Sequence, residues 1–242
     1  MSTISILPVT GLGEIAPGTD LPALLAAGVD AQTGDVLVVT QKIVSKAEDR
    51  FVDLAQVTPG SEANELASAT EKDPRLVELI LRESSAVVRQ ARGVLITRHR
   101  LGLVMANAGI DASNLGPGGA ERVLLLPEDP DASAARIAAA LGIGVVISDS
   151  FGRPWRQGVT NVAIGCAGLP ALEDQRGMQD RDGREMRVTQ VAWGDLIASA
   201  AGLAMGEAAQ GVPAVLVRGL PLPAGDQPAS VLVRPEAEDL FR

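Results

Sequence analysis

Apolar residues in this chain follow two spacings that alternate from one end to the other. Short runs rich in Val, Ile and Leu cover residues 4–9, 36–39, 123–126, 143–147 and 214–219, and their length and branching predict buried strands. Segments of helical period separate them, over residues 20–27, 59–71, 74–82, 132–141 and 192–205. In residues 74–82, Leu76, Leu79 and Ile80 share a face with Glu78 and Arg82 outside it, and in residues 192–205 the apolar face holds Leu196, Ala200 and Leu203. Asp129-Pro130-Asp131 reads as a helix start. Residues 94–97 and 101–106 predict a hairpin with a solvated His99 at its turn. Asp182-Gly183 marks a second turn, residues 115–121 a Gly/Pro loop, and residues 231–233 a late edge strand before a last short helix. No repeat and no long polar linker interrupts the pattern, so the expectation is one domain over residues 1–242, or two intertwined subdomains.

The buried runs open into chemically dense stretches. Residues 143–147 lead into Ser148-Asp149-Ser150-Phe151-Gly152-Arg153-Pro154-Trp155-Arg156, which places an acid at the expected C-terminal end of a strand, where open α/β sheets collect ligands. The run 36–39 leads into Thr40-Gln41-Lys42-Ile43-Val44-Ser45-Lys46-Ala47-Glu48, and Val9 into Thr10-Gly11-Leu12-Gly13. Together with the stretch after Met205 these read as phosphate-ready loops. Neither a P-loop nor a dinucleotide fingerprint is present. The acids Asp111, Asp149 and Glu207, each beside a glycine-bearing turn, offer oxygen ligands for hard divalent cations, with Asn114 and Ser150 as neutral donors. Lys42 and Lys46, or Arg153 and Arg156, can then take phosphate oxygens.

Composition narrows the classes. A net charge of −9 argues against nucleic-acid and anionic-membrane surfaces, and with no Tyr, three Phe and two Trp there is no aromatic platform for exposed bases. The single histidine removes multi-histidine metal sites, and the single cysteine, Cys166, lies in an apolar run as a small buried hydrophobe. No basic, apolar leader opens the sequence and no run reaches membrane-spanning length, so a cytoplasmic protein is expected.

Four of these stretches, in this order, resemble the coenzyme F420-0:L-glutamate ligase family: residues 39–48, Asn107-Ala108-Gly109-Ile110-Asp111-Ala112-Ser113-Asn114, residues 147–153, and Met205-Gly206-Glu207. The resemblance spans nearly the whole chain. It implies an α+β fold of mixed and antiparallel sheets with covering helices, a homodimer, and a GTP-dependent ligase. That ligase adds L-glutamate to the lactyl carboxylate of a deazaflavin precursor, F420-0, through an acyl phosphate, then extends the tail by γ-linkage. It implies two Mg2+ or Mn2+ ions, with K+ as a further activator.

Carried over by position, the resemblance puts one metal on Asp111 and Asp149 and another on Ser150 and Glu207. It puts the nucleotide against Thr10, Gly11, Leu12, Gly13, Gln41, Lys42, Lys46, Asn114, Met205, Gly206, Glu207, Ala208, Ala209, Gln210, Gly211 and Val212, with Lys46 as the catalytic cation. Three positions depart from the family pattern: Asp49 for glycine, Ser150 for threonine, and Ala208 for glycine. Two other classes use the same residues, a metal-dependent phosphatase or kinase of a small metabolite and a non-catalytic nucleotide-binding protein.

Overall fold

A computed structural model describes residues 3–116 and 121–240. Its centre is a five-stranded mixed sheet of β1 (Ser5–Val9), β2 (Val36–Thr40), β8 (Gly144–Arg153), β9 (Arg156–Ala167) and β12 (Ala214–Arg218). Across the sheet their order is β1-β12-β2-β8-β9. Only β2 and β8 run parallel; the other neighbours are antiparallel.

The middle strands are apolar on both sides because both sides are covered. Leu37, Val39, Val145 and Ile147 pack with helices α1 (Leu21–Gly28), α2 (Gln41–Ala47) and α5 (Pro130–Leu141). Val36, Val38, Val146 and Cys166 pack on the other side with α6 (Trp193–Met205). Asp20 caps α1 and Asp129 caps α5, each accepting a hydrogen bond from a backbone N–H in the first turn.

A second layer of structure stands beside the sheet. Helices α3 (Ser61–Thr70) and α4 (Pro74–Arg82) cover β4 (Ser84–Ala91), β5 (Val94–His99) and β6 (Val104–Ala106), which form a three-stranded antiparallel sheet. The pair β3 (Phe51–Asp53) and β7 (Arg122–Leu124), and the short pair β10 (Glu173–Asp174) and β11 (Gln190–Val191), complete the strands. Mixed and antiparallel sheets with covering helices are the α+β class that the family resemblance implies.

Several local expectations are corrected. His99 is fully buried, not solvated: its Nδ1 accepts from the Leu101 backbone and its Nε2 lies 3.4 Å from Glu83. Leu196 and Leu203 are 55% and 84% exposed, while α6 buries Gly194, Ile197, Ala198, Ala201 and Met205. Small residues let that face of α6 lie close to β9, so the larger leucines end on the outer face. Residues 231–233 form no strand; a 3-10 turn at Ala229–Leu232 is tied by backbone donors to Asp131. The glycine/proline loop expected at residues 115–121 falls largely outside the described residues.

Candidate active site

Register brings the predicted stretches to one edge. Val9 stands opposite Ala214, Ala214 opposite Val39, and Val39 opposite Ile147. The residues that next leave this row, Thr10, Thr40, Ser148 and Pro213, therefore share the end of the sheet where parallel β2 and β8 finish their buried stretches. Thr40 N–H donates to the Pro213 carbonyl at 2.9 Å and closes that edge.

Two of the three expected loops are loops; the one after Val39 is not. Thr40 passes directly into α2, which buries Gln41, Ile43, Val44, Ser45 and Lys46. Nor does β8 end at Asp149. It runs on to Arg153, ten residues in all from Gly144, and turns back through Pro154-Trp155 into β9. A bulge in β9 opposite Ile147 and Ser148 shifts the register just before Asp149, a common device for re-aiming side chains beside a site.

Strand alternation then separates two groups of oxygen-bearing side chains. Asp149 shares the face of Val145 and Ile147, toward α2, where Asp111 is held in an antiparallel bridge to Leu124. Gln41 Nε2 donates to Asp111 Oδ2 at 2.7 Å, Ser45 Oγ donates to Gln41 Oε1 at 3.0 Å, and Lys42 Nζ lies 3.5 Å from Asp111 Oδ2. Burial, and then the charge of Asp111, push the Asp149 carboxyl up to about 7, while a Ser150 backbone N–H, Lys42 and Gln41 act in the opposite direction. Ser150 projects on the other side, and its hydroxyl donates to Glu207 at 2.8 and 3.0 Å. Asn114 Nδ2 bridges the two groups by donating to the Ala208 carbonyl at 3.2 Å.

The proposed nucleotide residues are brought together unevenly. Gln41 and Lys42 face Asp111, and Lys42 also donates to the Ser113 carbonyl. Lys46 is paired with Glu14 at 2.5 Å, which draws the segment after Thr10-Gly11-Leu12-Gly13 to α2. Glu14 thereby joins the candidate site without having been singled out in the sequence, since a lone acid after a glycine turn has no distinguishing spacing. Residues 206–211 are exposed, with Gly206 and Gly211 in the left-handed region. Met205 is buried against the sheet, and Val212 is partly buried against the same cluster. Glu48 turns away from the edge and ties α2 to α5 through Arg136 and Ser133.

The departures from the family pattern have local accounts. Asp49 adopts φ +54°, a conformation in which glycine is the default and Asp is tolerated, and the turn closes by Asp49 N–H to Lys46 O and Arg50 N–H to Ser45 O. Ala208 is not among the positive-φ residues, so its backbone does not demand glycine; Gly206, at φ +69°, does. Ser150 retains the hydroxyl.

Among the described residues no three His, Cys, Asp or Glu side chains form a single metal cluster. The four oxygen-bearing side chains stand as the two pairs above. The model of the family described as F420-0:Gamma-glutamyl ligase matches residues 11–219. The chain belongs to this family. It is 44% identical over its whole length to the Methanopyrus kandleri protein named coenzyme F420:L-glutamate ligase, covering 99% of that relative. Relatives of the same name from Methanothermobacter thermautotrophicus and Natronomonas pharaonis are 41% and 46% identical, over 99% and 98% of this chain and 99% and 94% of theirs. In this F420-0:gamma-glutamyl ligase homologue, Asp111, Asp149, Ser150 and Glu207 gather at one sheet edge. Among the described residues no helix is long and apolar enough to cross a membrane.

Proposed function

We propose that the protein joins L-glutamate, through its amine, to the terminal carboxylate of the coenzyme F420 precursor in a GTP-dependent reaction, and that further γ-linked glutamates extend the tail. The observation that carries the reading is the convergence of Asp111 and Asp149 beside Lys42, on the edge reached also by Lys46 and Glu207, in a chain of this family.

The donor set fits hard cations: carboxylates and a hydroxyl, with no soft ligand. Burial, and after it the charge of Asp111, raises the Asp149 carboxyl, and a cation shared by the two acids would offset both. Asp111 and Asp149 would hold one Mg2+ or Mn2+, and Ser150 and Glu207 a second, with K+ a further activator. When bound, such ions neutralise charge on phosphate oxygens and align them.

The remaining chemistry belongs to the chain and its substrates. A carboxylate oxygen of the precursor attacks the γ-phosphorus, the bond to the β-phosphate oxygen breaks, and GDP leaves. The glutamate amine then attacks the acyl carbon, the C–O bond to phosphate breaks, and the surplus proton passes to solvent. Gln41 and Lys42 orient Asp111; Lys46 exchanges Glu14 for the transferring phosphoryl group, whose charge it offsets.

The test is mass spectrometry of the deazaflavin after incubation with GTP, a divalent ion and glutamate. A gain of one or more glutamyl residues, with equivalent phosphate released only when glutamate is present, is expected. Phosphate release without glutamate would instead indicate a phosphatase, and nucleotide binding with no release a binding protein. The exposed Leu196 and Leu203 on α6 support a homodimer, for which sedimentation at twice 25.0 kDa is expected.

A further inference from the structure

Strand β9 is an outer strand of the central sheet, so its open side has no strand to pair with. Carboxylates take the N–H groups there instead. Gly168 N–H, just past the strand, donates to Asp226 Oδ1 at 2.8 Å, Cys166 N–H to Asp131 Oδ1 at 2.9 Å, and Ala163 N–H to Asp195 Oδ1 at 2.9 Å. Ser199 Oγ, one turn after Asp195 on α6, donates to the Asn161 carbonyl at 2.8 Å.

The spacing of these bonds changes once. Residues 168 and 166 fall on one alternation of the strand, and residues 163 and 161 on the other, as happens when an extra residue intervenes. That residue is at the bulge, where the register passes from Ile147 opposite Gly165 to Ser148 opposite Ala163. Asp131 on α5 therefore holds one side of the bulge and Asp195 on α6 the other. Gly165 sits in it against α5, where an added Cβ would lie 2.3 Å from the Pro130 carbonyl oxygen.

The bulge decides what stands beside Asp149 and Ser150. With it, Val162 is opposite Asp149 and Asn161 opposite Ser150. Without it, the register would run on to set Ala163 against Asp149 and Val162 against Ser150. Val162 packs against the main core, and the Asn161 side chain meets α6 at Gly202, where a Cβ would lie 2.2 Å from Asn161 Oδ1. Gly202 is one turn ahead of Gly206 and Glu207, whose carboxylate takes the Ser150 hydroxyl.

Asp195 is half-buried and has no cationic partner among the described residues. Burial pushes its carboxyl up, and the Ala163 N–H acts in the opposite direction. Its place in the first turn of α6 also suits a negative charge, so position and charge have to be separated by experiment. We propose that Asp195 is a positioning residue for the reaction: through the Ala163 N–H it fixes the β9 bulge, and with it the aim of Asp149 toward Asp111 and of Ser150 toward Glu207. The inference rests on the ligase reading and deepens it by one residue that acts through a neighbouring strand.

The test uses the full chain with Mn2+ alone as the probe, its free fraction read by electron paramagnetic resonance, followed by turnover with GTP, F420-0 and glutamate. Asp195→Asn keeps an oxygen at the same reach and loses the charge, whereas Asp195→Glu keeps the charge and displaces the oxygen. Asp195→Asn should bind Mn2+ as the unaltered protein does. Asp195→Glu and Asp195→Ala should weaken Mn2+ binding and lower kcat on the order of 10- to 100-fold, as loss of groups that orient metal ligands does. In both, the Ala163 amide should lose protection from hydrogen exchange. Asp226→Ala removes the same kind of bond beyond the bulge and should leave Mn2+ affinity unchanged.

The reverse order, with Asp195→Glu unaffected and Asp195→Asn weakened, would show charge acting instead of position and would overturn the proposal. So would unchanged Mn2+ affinity in Asp195→Glu and Asp195→Ala, or an equal loss in Asp226→Ala. If Asp195→Ala does not fold, Asp195→Asn and Asp195→Glu decide. Unaltered protein that takes up Mn2+ and forms no glutamyl product overturns the ligase reading instead, and the Mn2+ affinities still judge Asp195.

Discussion

Glu14 Oε1 lies 2.5 Å from Lys46 Nζ, joining residues 32 positions apart. The lysine side chain is 7% exposed and the glutamate 62%, so the pair is a buried amine closed by a carboxylate that water can reach. Such a partner is replaceable. An incoming phosphate can take Glu14's place without stripping Lys46 of its counter-charge.

The pair gives mutations of opposite sign. Lys46→Ala should lower turnover by on the order of 10²- to 10³-fold, as loss of other preorganised charge stabilisers does. Glu14→Gln removes the competing anion and should tighten nucleotide binding several-fold. Glutamate-dependent phosphate release checks the first and calorimetric titration with GTP the second, and weaker binding in Glu14→Gln would show that Glu14 supports the nucleotide instead of competing with it.

Divalent affinity should rise with pH across neutrality. The Asp149 carboxyl titrates near 7 without metal, a cation requires its ionised form, and binding must therefore release a proton below that pH. Affinity should fall about tenfold per unit below pH 7 and level off above 8. Mn2+ titrations at pH 6, 7 and 8 in buffers of different ionisation enthalpy measure both effects; Asp149→Asn should abolish the proton release.

A second pH dependence concerns stability at the far end of the sheet. Buried Asp35 accepts two-pronged hydrogen bonds from Arg218, and this guanidinium holds its carboxyl below the usual range despite burial. The folded pKa is depressed, so the stabilisation is present above the unfolded value of about 3.9 and is lost as pH falls through the folded one. Asp35→Asn should cost about 1–3 kcal/mol at pH 7. The difference from the unaltered chain should shrink in urea melts at pH 3 and below.

The backbone at Asp49 makes a simpler prediction. With φ +54° closing α2, Asp49→Val should destabilise by about 1–2 kcal/mol, whereas Asp49→Gly should be neutral or stabilising. Thermal unfolding of the two variants decides it; equal melting points would mean that the turn adjusts.

Much of the fold is legible because periodicity reports burial directly. The middle strands are apolar throughout since both faces are covered, and Asp20 and Asp129 announce their helices by chemistry that acts within one turn. His99 misled because Glu83 and Ser84, which face it, lie fifteen or more positions earlier, beyond the reach of local spacing. Leu196 and Leu203 misled for a related reason: helical period finds an apolar face, but the small residues opposite it decide which face can approach a sheet. At the candidate site, Asp111, Asp149, Ser150 and Glu207 could be singled out from the sequence as oxygen-bearing candidates. Their division between two faces of β8 could not, because it depends on the strand continuing to Arg153 and on a bulge in its partner.

The passage from Thr40 straight into α2 divides the edge into a stiff half and a pliable half. No residue between strand and helix can be inserted, lengthened or swapped without displacing both lysines together with the core beneath them. Segments 10–13 and 208–212 carry no such burden. Diversification among descendants of this sequence, and any laboratory effort to alter which nucleotide or acceptor is used, will therefore accumulate in those two segments while α2 stays as an inherited keel.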